Sequence, residues 1–388
     1  MLVFNMETSG SFTIEAIERL YGRPFIKGNS MKLLWRGSDA FDEITRAVKA
    51  ARKLICLQFY IYRNDETGEE LARLLMQKSS EGVGVYILYD HLGSIFTPRG
   101  FWKKLRDAGI KIGASHPFMW LEPRRYLRRD HRKLITIDEE VAFTGGLNIA
   151  NEYWGSAMRK KRPWRDTGIL MRGPVAASLT ERFFISWHEL RRKHPGYIKP
   201  EVAREGDLPV LPIFASSRVG RKQMRKLLFY SIFHADREIC LTTAYFIPSR
   251  HMVRSLENAV GRGVRVRLLV PMTSDILAVH YASRHFFARL LKAGVEIYTY
   301  NGSMLHAKSY VFDRQWCIVG SANLDYISLR HNDEGNVGII SDSLAEELLE
   351  VFETDLRDSI RIDADKWHER PLMNRMLEGF FALFRRRL

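Results

Sequence analysis

The stretch that decides the fold runs from His131 to Asn148 and reads HRKLITIDEEVAFTGGLN. A second copy runs from His306 to Asn323 and reads HAKSYVFDRQWCIVGSAN. In both copies a histidine, a lysine, an aspartate, Gly-Gly or Gly-Ser, and an asparagine follow one another at identical spacing. A template with six fixed positions that occurs twice in one chain is a strong signal of a shared chemical task.

The two copies belong to a longer internal repeat. The further matching pairs are ICLQFYIY with ICLTTAYFIP (from Ile55 and Ile239), GVGVYILYD with GVRVRLLVP (from Gly82 and Gly263), and AGIKIG with AGVEIYTY (from Ala108 and Ala293). These matches keep their order and lie about 175–185 residues apart. A period of that length indicates two tandem domains rather than a solenoid.

Helical and extended patterns alternate within each copy, as in the helix FDEITRAVKAARKL followed by the strand LICLQFYIY. This alternation predicts an α/β fold of two duplicated domains, each a mixed, mostly parallel β-sheet with helices on both faces. We place a helical extension at 1–27, the first domain at 28–200, the second at 201–355 and a tail at 356–388. The proline-rich segment 194–212 suggests the boundary between the domains.

Each motif contains two apolar runs around three polar residues, which predicts a β-hairpin. With a two-residue loop, His131 lies opposite Asn148 and His306 lies opposite Asn323. A histidine and a lysine two residues apart on a strand share a face. The motif therefore groups an imidazole, an ammonium and an amide around a small residue.

Such a group suits a phosphate. Lysine supplies positive charge, asparagine supplies an N–H donor, and glycine allows close backbone approach. An imidazole, with an ordinary pKa of about 6.5, acts as a nucleophile or proton carrier near neutral pH. The candidate phosphate-binding residues are Lys133, Asn148, Lys308 and Asn323. The candidate structural residues of the motifs are Asp138, Asp313, Gly145, Gly146, Gly320 and Ser321.

The chain has 388 residues and a net charge of +15, which favours a polyanionic partner, either nucleic acid or an anionic membrane surface. Its three cysteines, Cys56, Cys240 and Cys317, form no CxxC or Cys/His cluster, which argues against a zinc site or a disulfide framework. No apolar run approaches the roughly 18–20 residues that cross a bilayer. We therefore expect a soluble or peripheral protein.

The paired motifs resemble the HKD motifs of the phospholipase D superfamily. The segments GVGVYILYDHLGS, WRDTGILMRGP, LTTAYFIPSR and VGSANLDYISLRHNDEGN are similar to the bacterial cardiolipin synthase branch, without transmembrane helices. The resemblance extends from about Gly28 to Phe352. It implies that both motifs face one active site at the domain interface, with no metal and no cofactor.

In that family one histidine forms a phosphohistidine, and the other protonates the leaving alcohol and then deprotonates the incoming one. The resemblance implies that His131 is the nucleophile and His306 the general acid and base. It also implies that Asp166 in WRDTG and Glu334 in HNDEGN orient the rings. The implied catalytic set is His131, Lys133, Asp166, His306, Lys308 and Glu334.

The resemblance implies a phosphatidyltransferase of the cardiolipin synthase type. Two phosphatidylglycerol molecules would give cardiolipin and glycerol at an anionic phospholipid surface, on the cytoplasmic side of a bacterial inner membrane. Two alternatives stay open: a phospholipase D that releases phosphatidic acid, and a nuclease of the same superfamily. Nucleic acid is the less favoured partner, because no nucleic-acid-binding module is recognisable.

Two amphipathic segments lie outside the repeat, SFTIEAIERLYG and RMLEGFFALFRRRL. Contact with a membrane and packing on the protein are both open for each of them. Three tryptophans, Trp154, Trp164 and Trp187, fit either an acyl channel or the core.

Overall fold

The computed structural model describes residues 12–118, 128–154, 162–191 and 197–387. The strands of the first half are β1 (Ile26–Leu34), β2 (Leu54–Phe59), β3 (Gly84–Asp90), β4 (Lys111–Ser115), β5 (Leu134–Ile137), β6 (Val141–Gly145) and β7 (Gly168–Arg172). Its helices are α1 (Ile14–Tyr21), α2 (Gly37–Ala50), α3 (Glu66–Ser80), α4 (Arg99–Asp107), α5 (Asn151–Trp154) and α6 (Pro174–Arg191).

The second half repeats this order. Its strands are β8 (Leu208–Phe214), β9 (Glu238–Thr243), β10 (Phe246–Ile247), β11 (Arg265–Pro271), β12 (Glu296–Tyr300), β13 (Lys308–Phe312), β14 (Trp316–Gly320), β15 (Leu324–Asp325), β16 (Gly335–Ile340) and β17 (Ser359–Arg361). Its helices are α7 (Arg218–His234), α8 (Arg250–Gly261), α9 (Leu277–Arg284), α10 (Phe287–Ala293), α11 (Tyr326–Arg330), α12 (Asp342–Arg357) and α13 (Leu372–Leu383), with a 3₁₀ turn at Lys366–Glu369. The strands β2, β3 and β4 correspond to β9, β11 and β12, and the hairpins β5–β6 and β13–β14 correspond to each other. The predicted α/β duplication is confirmed.

Fifteen of the described strands join in one sheet that runs through both halves, in the order β17-β12-β11-β9-β13-β14-β16-β8-β1-β7-β6-β5-β2-β3-β4, and β10 and β15 form a separate parallel pair. Antiparallel pairing between β1 and β8 connects the halves. Parallel pairing occurs where helices cross over between strands, at β2–β3–β4 and at β9–β11–β12. The hairpins and the central strands pair antiparallel. The mixed sheet is as expected, but its parallel share is smaller than the sequence suggested.

Helices cover both faces of the sheet, as predicted. On one face each half has its own core, formed in the first half by helices such as α2 and α3 and in the second by helices such as α7 and α8. On the opposite face α6 and α12 pack over a core that runs through both halves. The alternation of side chains along β2 explains this division, since Ile55 and Leu57 face one core and Cys56 faces the other. The two halves are therefore coupled through the sheet and through a shared core.

The N-terminal segment packs on the second half. In α1, Ile17 and Tyr21 are buried, and the helix lies against α7. The Tyr21 hydroxyl accepts a hydrogen bond from the N–H of Phe214 at 3.1 Å. For the described part of SFTIEAIERLYG, packing on the protein thus accounts for the apolar side chains. The proposed boundary near 194–212 falls partly outside the described residues, and the limits of the domains stay a prediction.

Candidate active site

Both motifs form β-hairpins, but the register differs from the predicted one. Leu134 lies opposite Thr144 in the first hairpin, and Ser309 lies opposite Val319 in the second. Three residues rather than two therefore separate the paired strands. The predicted cross-strand pairing of each histidine with its asparagine is wrong by one position.

A left-handed backbone at the turn explains the extra loop residue. The φ angle is 51° at Asp138 and 66° at Glu139, and it is 52° at Asp313 and 58° at Arg314. Two successive residues with positive φ are favoured by glycine and asparagine, and neither residue occurs in the loops 138–140 and 313–315. The residue types of the loops therefore do not predict this backbone.

The motif aspartates stabilise these turns by accepting backbone hydrogen bonds. Asp138 accepts from the N–H groups that precede and begin β2, at Arg52 (2.7 Å), Lys53 (2.8 Å) and Leu54 (2.8 Å). Asp313 accepts from the equivalent groups at Asp236 (2.8 Å), Arg237 (2.8 Å) and Glu238 (3.0 Å). Each carboxylate thus ties a hairpin to the neighbouring strand, at the end of the hairpin remote from the motif histidine.

The two motif histidines line the same open cleft of about 730 Å³ between the halves. His131 is 8% exposed and His306 is 4% exposed, so each ring reaches the cleft from an otherwise buried position. The backbone of each histidine is held by the other half. The N–H of His131 donates to the carbonyl of Asp333 at 2.9 Å, and that of His306 donates to the carbonyl of Arg165 at 2.7 Å.

Each imidazole is paired with a carboxylate from the opposite half. Nδ1 of His306 lies 2.7 Å from Oδ2 of Asp166. Nδ1 of His131 lies 3.1 Å from Oε2 of Glu334 and 3.1 Å from the carbonyl oxygen of Ser321. Neither half alone therefore contains a histidine with its carboxylate. An imidazole held through Nδ1 presents Nε2 to the cleft, which is the atom available for chemistry.

The lysines lie beside the histidines, as their spacing implies. Nζ of Lys133 donates to the carbonyl of His131 at 2.6 Å. Nζ of Lys308 contacts the carbonyl of His306 and lies 2.7 Å from its Nδ1. Both lysines are buried.

Burial and mutual repulsion disfavour positive charge in this cluster. Burial lowers the pKa of Lys133 to about 7, and the neighbouring Lys308 contributes to the shift. Burial also lowers the pKa of Lys308 to about 8, against the attraction of Asp166. The pKa of His131 is lowered by burial and by Lys133, and that of His306 by burial and by Lys308. An anion entering the cleft reverses these shifts, because it stabilises the protonated forms.

The motif asparagines are anchored in the same way in both halves. The side-chain oxygen of Asn148 accepts from the N–H of Ile61 at 3.0 Å, and that of Asn323 accepts from the N–H of Tyr245 at 3.3 Å. Because a backbone N–H holds the oxygen of each side-chain amide, the orientation of its NH₂ group is fixed. The NH₂ of Asn148 donates to the hydroxyl of Tyr153 at 2.9 Å. Both asparagines line the cleft.

The small residues of the motifs make room for the carboxylates. A Cβ atom at Gly146 would lie 2.0 Å from Oδ1 of Asp166. The equivalent Ser321 instead donates its hydroxyl to Oε2 of Glu334 at 2.5 Å. The glycines before them, Gly145 and Gly320, pass so close to the next strand that a Cβ would lie 2.4 Å from the Thr167 carbonyl oxygen or the Asn336 side-chain oxygen.

Aromatic residues near the histidines were mostly not predicted. The ring of Tyr60 lies 5.2 Å from that of His131. Tyr153, Trp164 and Tyr245 surround His306 at 5.3, 5.6 and 6.4 Å between ring centroids. The repeat did not reveal them, since Tyr60 is the sixth residue of ICLQFYIY and Tyr245 the seventh of ICLTTAYFIP, so the two tyrosines do not align.

The three tryptophans singled out in the sequence have different positions. Trp164 lines the cleft, whereas Trp154 and Trp187 are buried in the cores. Asp325, which the sequence did not single out, also lines the cleft. Burial raises the pKa of its carboxyl group to about 7. Within the described ranges, no group of three or more histidine, cysteine, aspartate or glutamate side chains could hold a metal ion.

A duplicated α/β fold with two histidine–lysine–asparagine clusters facing one cleft defines a phospholipase D-like protein. A family model described as "Cardiolipin synthase, PLD-like domain" matches residues 44–184 and 228–356. The chain is 34% identical over 357 residues to cardiolipin synthase A of Pseudomonas aeruginosa, covering 91% of this chain and 72% of the relative. It is 35% identical to cardiolipin synthase A of Pseudomonas fluorescens over 343 residues, covering 88% and 71%. The chain belongs to the cardiolipin synthase family with phospholipase D-like domains.

Solved structures show the same fold. Phosphatidylserine synthase of Haemophilus influenzae has a TM-score of 0.76 at 15% identity, covering 97% of this chain and all of its own. Polyphosphate kinase of Porphyromonas gingivalis has a TM-score of 0.58 at 14% identity, covering 95% of this chain and 54% of its own. In the parts of the chain that the structure describes, no helix has the length and apolar character needed to span a membrane.

Proposed function

We propose that this protein transfers phosphatidyl groups and makes cardiolipin and glycerol from two molecules of phosphatidylglycerol. One observation carries the proposal: two imidazoles, each paired with a carboxylate of the opposite half, line the same cleft. The identity of about one third to cardiolipin synthases over most of the chain supports the choice of substrate.

In the first step Nε2 of His131 attacks the phosphorus of phosphatidylglycerol. A P–N bond forms, the P–O bond to the head-group glycerol breaks, and His306 gives its proton to the departing oxygen. The product is a phosphatidyl-histidine and free glycerol. In the second step His306 removes the proton from a hydroxyl of another phosphatidylglycerol. That oxygen attacks phosphorus, the P–N bond breaks, and cardiolipin leaves.

The surroundings of the two rings support this division of roles. Nδ1 of His131 lies next to two acceptors, the Ser321 carbonyl and the Glu334 carboxylate. It therefore donates its proton there and leaves a lone pair on Nε2, as a nucleophile requires. Nδ1 of His306 lies between Asp166 and the amino group of Lys308. A ring between an acceptor and a donor is suited to act as a general acid in the first step and as a general base in the second.

The lysines and asparagines would stabilise the five-coordinate transition state. Its oxygens carry more negative charge than the single charge of the starting phosphodiester, so preorganised cations and N–H donors bind it more strongly. The lowered pKa values of Lys133 and Lys308 mean that phosphodiester binding draws protons into the site. Transfer competes with hydrolysis, and the aromatic wall of Tyr153, Trp164 and Tyr245 would limit access of water to the intermediate.

We further propose that the protein works as a peripheral protein at an anionic phospholipid surface, on the cytoplasmic side of a bacterial inner membrane. The net charge of +15 supports attraction to such a surface. The bacterial relatives support the choice of membrane.

The test uses purified protein and phosphatidylglycerol vesicles, with and without added glycerol, and identifies the lipids by mass spectrometry. We expect cardiolipin, and we expect added glycerol to drive the reaction back because the bonds broken and formed are of the same kind. Phosphatidic acid as the main product would instead establish a hydrolase. Cleavage of DNA with no change in the lipids would establish a nuclease and refute the proposal.

A further inference from the structure

The C-terminal helix α13 buries its acidic residue and exposes its apolar ones. Glu378, near its middle, is 1% exposed. Its carboxylate accepts from Arg284 at 3.1 Å and from Arg370 at 2.8 Å. Arg284 and Arg370 in turn lie over the ring of Trp367, each 4.6 Å from its centroid. A buried, paired carboxylate fixes one face of the helix to the protein, because separating the charges inside the fold is costly.

The contacts of α13 with the protein are otherwise limited. The helix packs on α9, where the ring of Phe381 stacks on Tyr281 at 6.0 Å and Ala382 is buried. These contacts and the ion pairs of Glu378 define which face looks inward. Packing on the protein, one of the two alternatives for RMLEGFFALFRRRL, therefore accounts for only one side of the helix.

The outward face of α13 is a continuous apolar stripe. Its exposed large hydrophobic residues are Leu372, Met373, Met376, Phe380, Leu383 and Phe384. Steps of three and four residues place Met373, Met376, Phe380 and Phe384 on one side of the helix over three turns. A soluble helix normally turns this face toward the core, and an exposed patch of this kind marks an interaction surface.

The stripe ends at a basic pocket. Arg385 and Arg386, which follow α13, line this pocket together with Arg250 at the start of α8 and Arg330 at the end of α11. None of the described residues that line the pocket is acidic. Among the described residues, none of these four arginines forms an ion pair with a carboxylate. The pocket therefore suits anions of the phosphate class, to which arginine binds in a bidentate manner.

The stripe and the pocket lie near the mouth of the active-site cleft. Arg387, next to the basic pocket, lines the cleft, as does Ile276 directly before α9. Leu277, the first residue of α9, is exposed beside them. From the first half, Ile95 and Phe96 line the cleft and are exposed to solvent. Apolar side chains from both halves thus lie around the opening through which substrate enters.

We propose that α13 is a membrane-docking helix: its apolar stripe enters the interface of a bilayer while the four-arginine pocket binds a phosphate of an anionic phospholipid. Apolar area and unpaired arginines at one end of the same helix match the two components of interfacial binding, hydrophobic burial and attraction to anionic head groups. The inference rests on the proposed function only for the choice of a phospholipid bilayer as the partner. Docking in this position brings the cleft to the head groups of the lipids.

The test is co-sedimentation with vesicles of phosphatidylglycerol and phosphatidylcholine, and with vesicles of phosphatidylcholine alone. We expect the double variant Met376→Ser/Phe380→Ser to lower binding to the mixed vesicles by about tenfold or more, because two interfacial side chains are lost. Ile360→Ser is the matched control, since Ile360 and Phe380 are both 54% exposed and Ile360 lies on the edge strand β17. It should bind as the unaltered protein does. Thermal melting checks that all variants are folded.

A second double variant tests the arginine pocket in the same binding experiment. Arg385→Gln/Arg386→Gln should weaken binding to the anionic vesicles several-fold, by about an order of magnitude at most, and leave binding to phosphatidylcholine unchanged. The loss should shrink as salt is raised. Unchanged vesicle binding by both double variants would refute the proposal. So would an equal loss with Ile360→Ser, because binding would then not be specific to α13.

The experiment separates this inference from the proposed function. Binding is measured with His131→Ala as well, so turnover is not needed for the readout. If the protein docks through α13 but converts no lipid, the inference stands and the function fails. If it makes cardiolipin from detergent-dispersed phosphatidylglycerol but α13 variants bind vesicles normally, the function stands and the inference fails. The α13 variants should keep full activity on a monomeric short-chain phosphatidylglycerol.

Discussion

His131 and His306 occupy equivalent positions in two copies of one motif, yet their surroundings differ. His306 lies 2.7 Å from an aspartate, touches a lysine amino group and is surrounded by three aromatic rings. His131 lies 3.1 Å from a glutamate and has one aromatic neighbour among the described contacts. Duplication supplied two similar imidazoles, and the neighbours supplied by the opposite half made them different.

The small residue of each motif, Gly146 or Ser321, contributes to the difference between the surroundings of the two histidines. Gly146 leaves space for the short side chain of Asp166, whereas Ser321 holds the longer Glu334 by a hydrogen bond. The two pairs are not interchangeable, because a Cβ at Gly146 would collide with the Asp166 carboxylate. The chemistry of each histidine therefore depends on a carboxylate far away in the chain, 203 positions from His131 and 140 positions from His306.

The largest effect should come from the histidines themselves. His131→Ala and His306→Ala should each reduce cardiolipin formation by about 10⁴-fold or more, since each removes a group required in both steps. A phosphatidyl ester of p-nitrophenol separates the roles, because this leaving group needs no proton. His306→Ala should still release a burst of one equivalent of p-nitrophenol, and His131→Ala should release none.

His368→Ala serves as the control for this experiment, because His368 is exposed and is not among the residues that line the cleft. It should behave as the unaltered protein. A burst from His131→Ala and none from His306→Ala would exchange the two roles. Full turnover by either variant would rule out a shared site.

The next largest effect on activity should come from substitution of the small motif residues Gly146 and Ser321. Gly146→Ser should lower kcat by about 10²–10³-fold, because the new side chain displaces Asp166 and releases His306. Ser321→Gly removes one hydrogen bond to Glu334 and should lower kcat only about tenfold. Steady-state kinetics at several pH values measures both. Equal losses would mean that the carboxylates are held by something other than these residues.

The motif aspartates should affect stability equally in the two halves. Asp138→Ala and Asp313→Ala each leave three backbone N–H groups without their acceptor and should cost about 2–3 kcal/mol of the free energy of unfolding. Because β1 and β8 join the halves in one sheet, both variants should shift the same transition in urea. Two separate transitions, each sensitive to one variant, would show that the halves unfold independently.

The smallest expected effect is the dependence of anion binding in the cleft on pH. Sulfate, which keeps its charge between pH 6 and 9, should bind the cleft most tightly below pH 7. Its affinity should fall about tenfold toward pH 9, because Lys133 and Lys308, with pKa values of about 7 and about 8, lose their charge over this range. Titration calorimetry measures this dependence, and Lys133→Met should flatten it. An affinity that does not change between pH 6 and 9 would contradict the lowered pKa values.

Much of the fold followed from repetition and spacing. The duplicated segments predicted two α/β halves, and the positions of His131, Lys133, His306 and Lys308 in their motifs predicted a cluster of imidazole and ammonium groups. The spacing of a histidine and a lysine on one strand needs no tertiary information. That is why these residues were accessible from the sequence.

Other features depend on tertiary contacts that spacing does not encode. The hairpin register was wrong by one because Asp138 and Glu139 adopt positive φ, and the reason lies in hydrogen bonds to residues 52–54, more than eighty positions earlier. The resemblance implied that Asp166 and Glu334 orient the rings, but only the structure shows that Asp166 pairs with His306, because no local pattern links them. The inward face of α13 could not be assigned because the partners of Glu378 lie at Arg284 and Arg370, of which the first belongs to a distant helix.

The exchange of carboxylates between the halves has a consequence for synthesis of the protein on the ribosome. His131 meets its partner only after residue 334 has been made and folded, by which time nearly the whole chain has emerged. A nascent or truncated first half therefore carries a complete motif but lacks the carboxylate that orients its histidine. Assembly of the site is thus coupled to synthesis of both halves.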